Sequence, residues 1–420
     1  MLKVSPGYDV LLSVLAFGNM HIYHYWYWDS SRSILLYCCT YEYTLVNVES
    51  LAAAFKSMLI EISPEQVQKA VGKAFPNTPE STVVAVSELS GDTLSYTKSN
   101  RTYIVDLSTS KDTPATHSTF LTVSAAPAAL PDPNITETIY HPNKLQIYTK
   151  LISLIRQHTS IPFQDPILDN SLAFIPYPYI LTPVTGITSS SLVSLSSARK
   201  QKLLSPQHDV MIDMGLGQML GQLHSGVLNE WFGLPLTLEP ANPSYSWQET
   251  FTALLETLLH QAESSEKLKS SALPYEDLRR YLSRAIAFYI FDDVQVPSLV
   301  WFTGSEEDIY ISIPSDNTNP PSIAAILPNL AHALWGDPLL ESFFLPPAPS
   351  SALKEAYVGC GGEELILFAR QKTKRLWYTV FLALVTLLER VDDDSESGKR
   401  AWAIETLKEC AEKLKDAPCY

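Results

Sequence analysis

Cysteine is scarce and irregularly placed. Cys38, Cys39, Cys360, Cys410 and Cys419 form no C-x-x-C pair. Neither a zinc centre nor a redox dithiol is supported, and a reduced, intracellular setting, here the cytoplasm, fits best. Long apolar runs are missing too. The longest, Leu376 to Leu388, falls short of the ~20 residues that span a bilayer and reads as a buried core helix. The apolar stretch Val10 to Phe17 is short and no small-residue cleavage site follows it, so no signal peptide is expected. Basic residues are outnumbered, 30 Lys and Arg against 45 Asp and Glu, for a net charge of -15. Such a surface repels phosphate backbones and anionic headgroups, which argues against a nucleic-acid or membrane partner. Glycine is also sparse, 16 residues in 420, and only Gly91 stands in the loop before Asn100. No glycine-rich phosphate cradle is evident there. No G-x-S-x-G elbow and no H-E-x-x-H are present, which removes the common serine-hydrolase and zinc-protease signatures. Gly215-Leu216-Gly217-x-x-x-Gly221 has the wrong spacing for a dinucleotide fingerprint and lies inside a helical pattern.

Against these absences stands an ordinary folded composition, 46% hydrophobic and 18% charged. The length implies two or three domains. Residues 1–50 form an atypical, aromatic-rich N-terminal extension, with Tyr23 to Trp28 side by side. His21 and His24 have a metal-ligand spacing, but no carboxylate or third ligand stands nearby. Residues 51–185 open with a helical pattern over 51–75 and continue as strands at Thr82 to Val86, Thr102 to Leu107 and Ser118 to Val123. An amphipathic helix follows from Pro142 to His158, then a strand pair near Ser171 to Thr182. Residues 186–420 read mainly as helices, with stripes at Ile212 to Leu223, Trp247 to Leu258 and Glu276 to Phe291. A strand-rich interruption falls at Ser298 to Phe302, Asp308 to Ile313 and Ile323 to Leu327, and helices resume from Leu339. The pattern predicts an α+β, bilobal fold: a small antiparallel-sheet N-lobe and a mainly helical C-lobe.

Several segments resemble one family. Ile212 to His224 is similar to the long C-lobe helix of aminoglycoside-phosphotransferase-like proteins, and Ala333-Leu334-Trp335-Gly336-Asp337-Pro338-Leu339-Leu340-Glu341 to the segment after their metal-binding Asp. Trp247 to Phe251 and Asp292 to Val300 look like the phosphotransferase-enzyme relatives common in filamentous fungi. The resemblance covers about residues 80 to 415 and implies a protein-kinase-like fold. In that family a strand Lys and Mg²⁺ ligands neutralise the transferred phosphoryl group, and an Asp orients the acceptor hydroxyl.

This chain departs at each such position. Leu299-Val300-Trp301-Phe302-Thr303-Gly304-Ser305-Glu306-Glu307-Asp308 stands where the family reads roughly L-V-H-W-D-L-W-D-G-N. Trp301 replaces the motif His and Thr303 the catalytic Asp; a hydroxyl cannot accept a proton at neutral pH as a carboxylate does. Asp308 replaces the metal-binding Asn and keeps an oxygen ligand, its other reading being a solvated hairpin residue. Asn329 replaces the metal-binding Asp, with an amide as the weaker Mg²⁺ ligand. Thr122 occupies the expected strand Lys, and the acid that would pair with it is absent at Tyr148 and Lys150. His224 reads as a satisfied structural histidine, and Asp337 as a brace for the following helix. The resemblance implies a pseudokinase whose inter-lobe cleft takes a small molecule or a protein partner, in a fungal metabolic pathway. Its rival is a divergent small-molecule kinase that uses ATP and Mg²⁺ through Asp308 and Asn329. A non-kinase enzyme reusing the cleft is a third class, with no residue constellation behind it.

Overall fold

The computed structural model describes residues 60–420 except 77–80, 90, 109–116, 126–139, 185–191, 236–239, 241, 314–319, 328, 348, 394–397 and 420, together with the backbone of three strands before residue 60. The chain divides into two compact units, Met1–Leu59 and Ile60–Tyr420. In the first, β1 (Val10–Phe17), β2 (Met20–Asp29) and β3 (Arg32–Cys39) form an antiparallel sheet in chain order. Its register pairs Val10 with Tyr27 and Ile22 with Cys39. The aromatic run lies on β2, as the strand preference of aromatic residues favours. The side chains of His21 and His24 lie outside the described residues, as does any helix over 51–59.

The second unit begins extended at Ile60 and turns helical only at α1 (Pro64–Ala74). Its start is set locally. Ser63 Oγ accepts from the Gln66 amide at 3.2 Å while Gln66 Oε1 accepts from the Ser63 amide at 2.8 Å, and Pro64 fills the first helical position. Strands β4 (Thr82–Glu88), β5 (Asn100–Ser108) and β6 (His117–Ser124), helix α2 (Leu145–His158), and strands β7 (Ile167–Asp169) and β8 (Tyr179–Val184) follow. The strands form one antiparallel sheet in the order β4-β5-β6-β8-β7. The predicted pair at 171–182 therefore resolves into β7 before that range and β8 at its end, with Pro176 and Pro178 in the connection. Val67, Ala70 and Val71 of α1 pack on Val105, Leu121 and Val123 of the sheet. Helix α2 starts at Leu145 rather than Pro142, because the Asn143 side chain donates to the Leu330 and Ala333 carbonyls, each at 2.9 Å.

The remaining elements are β9 (Leu192–Ser194), α3 (Leu195–Lys200), α4 (Pro206–Gly226), α5 (Trp247–Ser264), α6 (Tyr275–Ala287), β10 (Ser298–Val300), β11 (Ile309–Ser312), β12 (Ser322–Ile326), β13 (Leu334–Gly336), α7 (Ser351–Gly359), α8 (Ala369–Glu389) and α9 (Gly398–Lys415). β10 pairs with β13, and β12-β11-β9 form a second small sheet. α8 is the predicted core helix, buried almost continuously from Thr373 to Leu387. Its one buried lysine, Lys374, reaches Asp337 at 2.5 Å and Asp293 at 2.8 Å. Asp337 also accepts from the Leu339 amide at 2.9 Å and the Tyr378 hydroxyl at 2.7 Å. It braces α8 and caps a short 3-10 turn, Pro338–Leu340, rather than a long helix; the next α-helix begins only at Ser351. The fold is α+β and bilobal: an antiparallel sheet with packed helices, then a mainly helical lobe carrying short hairpins. No helix among the described residues is long and apolar enough to cross a membrane.

Candidate functional site

The segment after β10 builds the first side of the site. Phe302 is fully buried with φ at 68°, a left-handed conformation that costs about 1–3 kcal/mol for a non-glycine residue and persists only where its surroundings dictate it. Those surroundings are explicit. The Trp301 amide donates to Glu341 Oε2 at 3.0 Å, and the Thr303 amide closes a tight turn onto the Trp301 carbonyl at 2.9 Å. The Trp301 indole N–H donates to the Asn329 carbonyl at 2.7 Å. Gly304 lies under the indole: a Cβ there would sit 2.3 Å from the ring. Trp301 is thus a packed structural group. Thr303 is buried, and its hydroxyl has no hydrogen-bond partner among the described residues. Behind the turn, His224 Nδ1 lies 3.0 Å from the Tyr357 hydroxyl, while Nε2, 3.4 Å from Glu341 Oε2, makes no hydrogen bond among the described residues, so the expected satisfied histidine is met at one nitrogen.

Asp308 and Asn329 form the second side. Asp308 is fully buried, so the solvated-hairpin reading fails. Glu306, two residues earlier, pairs with Arg199, and Glu307 accepts from the Ser196 hydroxyl at 3.2 Å. The Asp308 carboxylate accepts from the Ser95 hydroxyl at 2.5 Å and from the Ser305 amide and hydroxyl, each at 2.9 Å. Burial pushes its pKa up to about 6, with the Ser95 and Ser305 hydrogen bonds acting the other way and Glu307 adding to the rise. The Asn329 amide nitrogen donates to the Ser95 carbonyl at 2.5 Å, and its oxygen accepts from Tyr148 at 3.4 Å. One residue of the β4–β5 connection therefore bridges the two positions where the resemblance implies metal ligands.

The N-lobe contributes the third side. Thr122 sits on β6 opposite Thr102, and the two hydroxyls lie 3.1 Å apart. Where the resemblance implies an acidic partner on α2, fully buried Tyr148 accepts from Asn100 Nδ2 at 3.1 Å and reaches Asn329, while Lys150 is exposed. Between the lobes, Phe120 of β6 packs against Tyr310 of β11, ring centroids 5.4 Å apart, with Val184, Ala325 and Leu327 around them. A cavity of about 20 Å³ between α2 and α4, touching Trp301, is lined only by apolar residues and has room for roughly one water molecule.

Of the predicted positions, the fold brings Asp308, Asn329 and Trp301 into one linked cluster. Thr303 lies on the same turn without its side chain joining the cluster through a hydrogen bond, and Thr122 makes its contact within the sheet. Mg²⁺ fits this donor set poorly, since both Asp308 oxygens already accept protein hydrogen bonds and the Asn329 amide nitrogen faces the Ser95 carbonyl. Among the described residues no group of three or more His, Cys, Asp or Glu could hold a metal ion. Sequence reasoning missed Ser95, Ser305, Asn100 and Glu341. Ser95 lies 213 positions from Asp308 and 234 from Asn329, so no local pattern marks it. Glu341 was within the segment carrying the resemblance, but only its contact with the Trp301 amide reveals its place in the site.

No protein-family model and no curated protein matches this chain. Among solved structures it is similar to a protein of Ralstonia eutropha JMP134 titled "putative aminoglycoside phosphotransferase", at 12% identity and a TM-score of 0.49, over 89% of this chain and 99% of that one.

Proposed function

We propose that this chain is an aminoglycoside-phosphotransferase-like pseudokinase, a kinase-like fold kept for binding rather than for ATP-dependent phosphoryl transfer. One observation carries the reading: two groups at the family's metal-binding positions, Asp308 and Asn329, are engaged in holding the lobes together through Ser95. Thr303 cannot serve as a base. The role assigned is a cytoplasmic binding component that takes a small molecule or a protein partner in the inter-lobe cleft. The fungal metabolic setting rests on the sequence resemblance alone.

Thermal unfolding with and without ATP and Mg²⁺ tests this directly. A ligand present at ~100 times its dissociation constant stabilises a fold by ~2.7 kcal/mol, an easily seen rise in melting temperature. No shift is expected with ATP, with or without Mg²⁺. A Mg²⁺-dependent shift that Asp308→Ala removes would sink the pseudokinase. It would favour the divergent kinase, for which the surviving carboxylate at Asp308 is the one supporting observation.

A further inference from the structure

Residues 91–99, the connection between β4 and β5, form no helix or strand, yet they are gripped from three directions by the helical lobe. From the end of α8, the Arg390 guanidinium donates to the Gly91 carbonyl and, at 2.9 Å, to the Thr93 carbonyl. It also stacks on the Tyr96 ring, 4.3 Å from the centroid. Beside it, Glu389 accepts from the Lys98 amide at 2.8 Å. From the turn before β11, Asp308 takes the Ser95 hydroxyl, and from the segment before β13, Asn329 takes the Ser95 carbonyl. Ser95 and Thr97 are buried by these contacts, while Gly91, Asp92 and Lys98 remain exposed.

We infer that residues 91–99 are an autoinhibitory strap, clamped by Arg390, which closes the inter-lobe site with Ser95 and lifts as a unit when a partner enters. Two features make the segment a switch rather than part of the core. Apart from half-buried Leu94, which packs on the edge of the main core, its hold on the helical lobe is a handful of contacts to four side chains, so it can open without dissolving either lobe's core. It also closes over the Asp308 carboxylate, which has no cationic partner among the described residues, so closure carries a desolvation cost that opening releases. The inference rests on the reading that the inter-lobe cleft is the binding site.

Hydrogen exchange of the full-length chain, followed by mass spectrometry, reads the strap without any ligand. Its failure is therefore separable from an unexpected response to ATP. Arg390→Ala removes the clamp, and Ser95→Asp places a second carboxylate against Asp308. In both variants exchange of residues 91–99 is expected to rise at least tenfold, while residues 376–388 of α8 stay as protected as in the parent. Arg390→Lys keeps the charge but not the forked donor geometry, and it should fall between the two. The inference is overturned if residues 91–99 exchange at the parental rate in both variants. It is equally overturned if both segments speed up together, because the connection then opens only when the protein unfolds.

Discussion

Asp169 and Asp308 are both buried carboxylates, yet their surroundings push them in opposite directions. At Asp169 burial raises the pKa, but the Lys73 ammonium, Ser171 and Tyr179 outweigh it and hold the group well below the usual carboxylate range. At Asp308 burial wins, because only hydroxyl and amide donors meet it. The sign of the pH dependence follows. A group whose folded pKa is raised contributes stability below its unfolded value and loses it as the pH rises through the folded one. For Asp308 that window runs from 3.8 to about 6. The rise corresponds to about 3 kcal/mol of charge burial. Asp308→Asn keeps the shape, and its amide can still donate to the Ser95 hydroxyl. The variant is expected to match the parent near pH 4 and to exceed it by up to ~3 kcal/mol at pH 7.5 in urea unfolding. A stability difference independent of pH would refute that account of the site.

At the scale of elements, α4 explains glycines that carry no nucleotide motif. Gly217 and Gly221 let α4 lie directly on α7: a Cβ would sit 2.2 Å from the Leu353 carbonyl oxygen at the first and 2.6 Å from the Tyr357 carbonyl oxygen at the second. Backbone cannot yield as a side-chain tip does. Gly217→Ala is therefore expected to cost about 1–3 kcal/mol. Gly215, two residues away, faces only Ile323 at 3.7 Å, an ordinary contact. There Gly215→Ala should stabilise the helix by about 0.5–1 kcal/mol. Denaturant midpoints of the two variants should move in opposite directions, and a shift of the same sign would show that α4 and α7 do not pack this way. Helix periods and strand runs were legible in the sequence because each is encoded within a few residues. The predicted start at 142 and the strand pair at 171–182 missed where a committed Asn143 side chain or a sheet partner sets the boundary.

Over the whole second unit, the lobes share more than a hinge. Asn143 ties the start of α2 to the 330–333 segment, Tyr148 reaches Asn329, and the Phe120–Tyr310 cluster joins sheet to sheet. Much of α2 belongs to the same hydrophobic core as α4, α5 and α8. Lobes joined in this way should unfold as one cooperative block. Exchange in rising denaturant, followed in β5–β6 peptides and in α8 peptides, is expected to give coincident transitions. Clearly separate midpoints would show that each lobe stands alone.

The sequence by itself determined the order of elements and the antiparallel sheet followed by a helical lobe, and it places Trp301, Thr303, Thr122 and Asn329 where the family resemblance leads one to expect phosphotransfer groups. These are local facts: periodicity, turn chemistry and side-chain type at a position. What surrounds those residues was decided only in three dimensions. Ser95 meets Asp308 across 213 residues, and Tyr148 meets Asn329 across 181. A hydrogen bond over such a separation leaves no periodic trace along the chain, and the burial that raises the Asp308 pKa exists only once both lobes have closed around it.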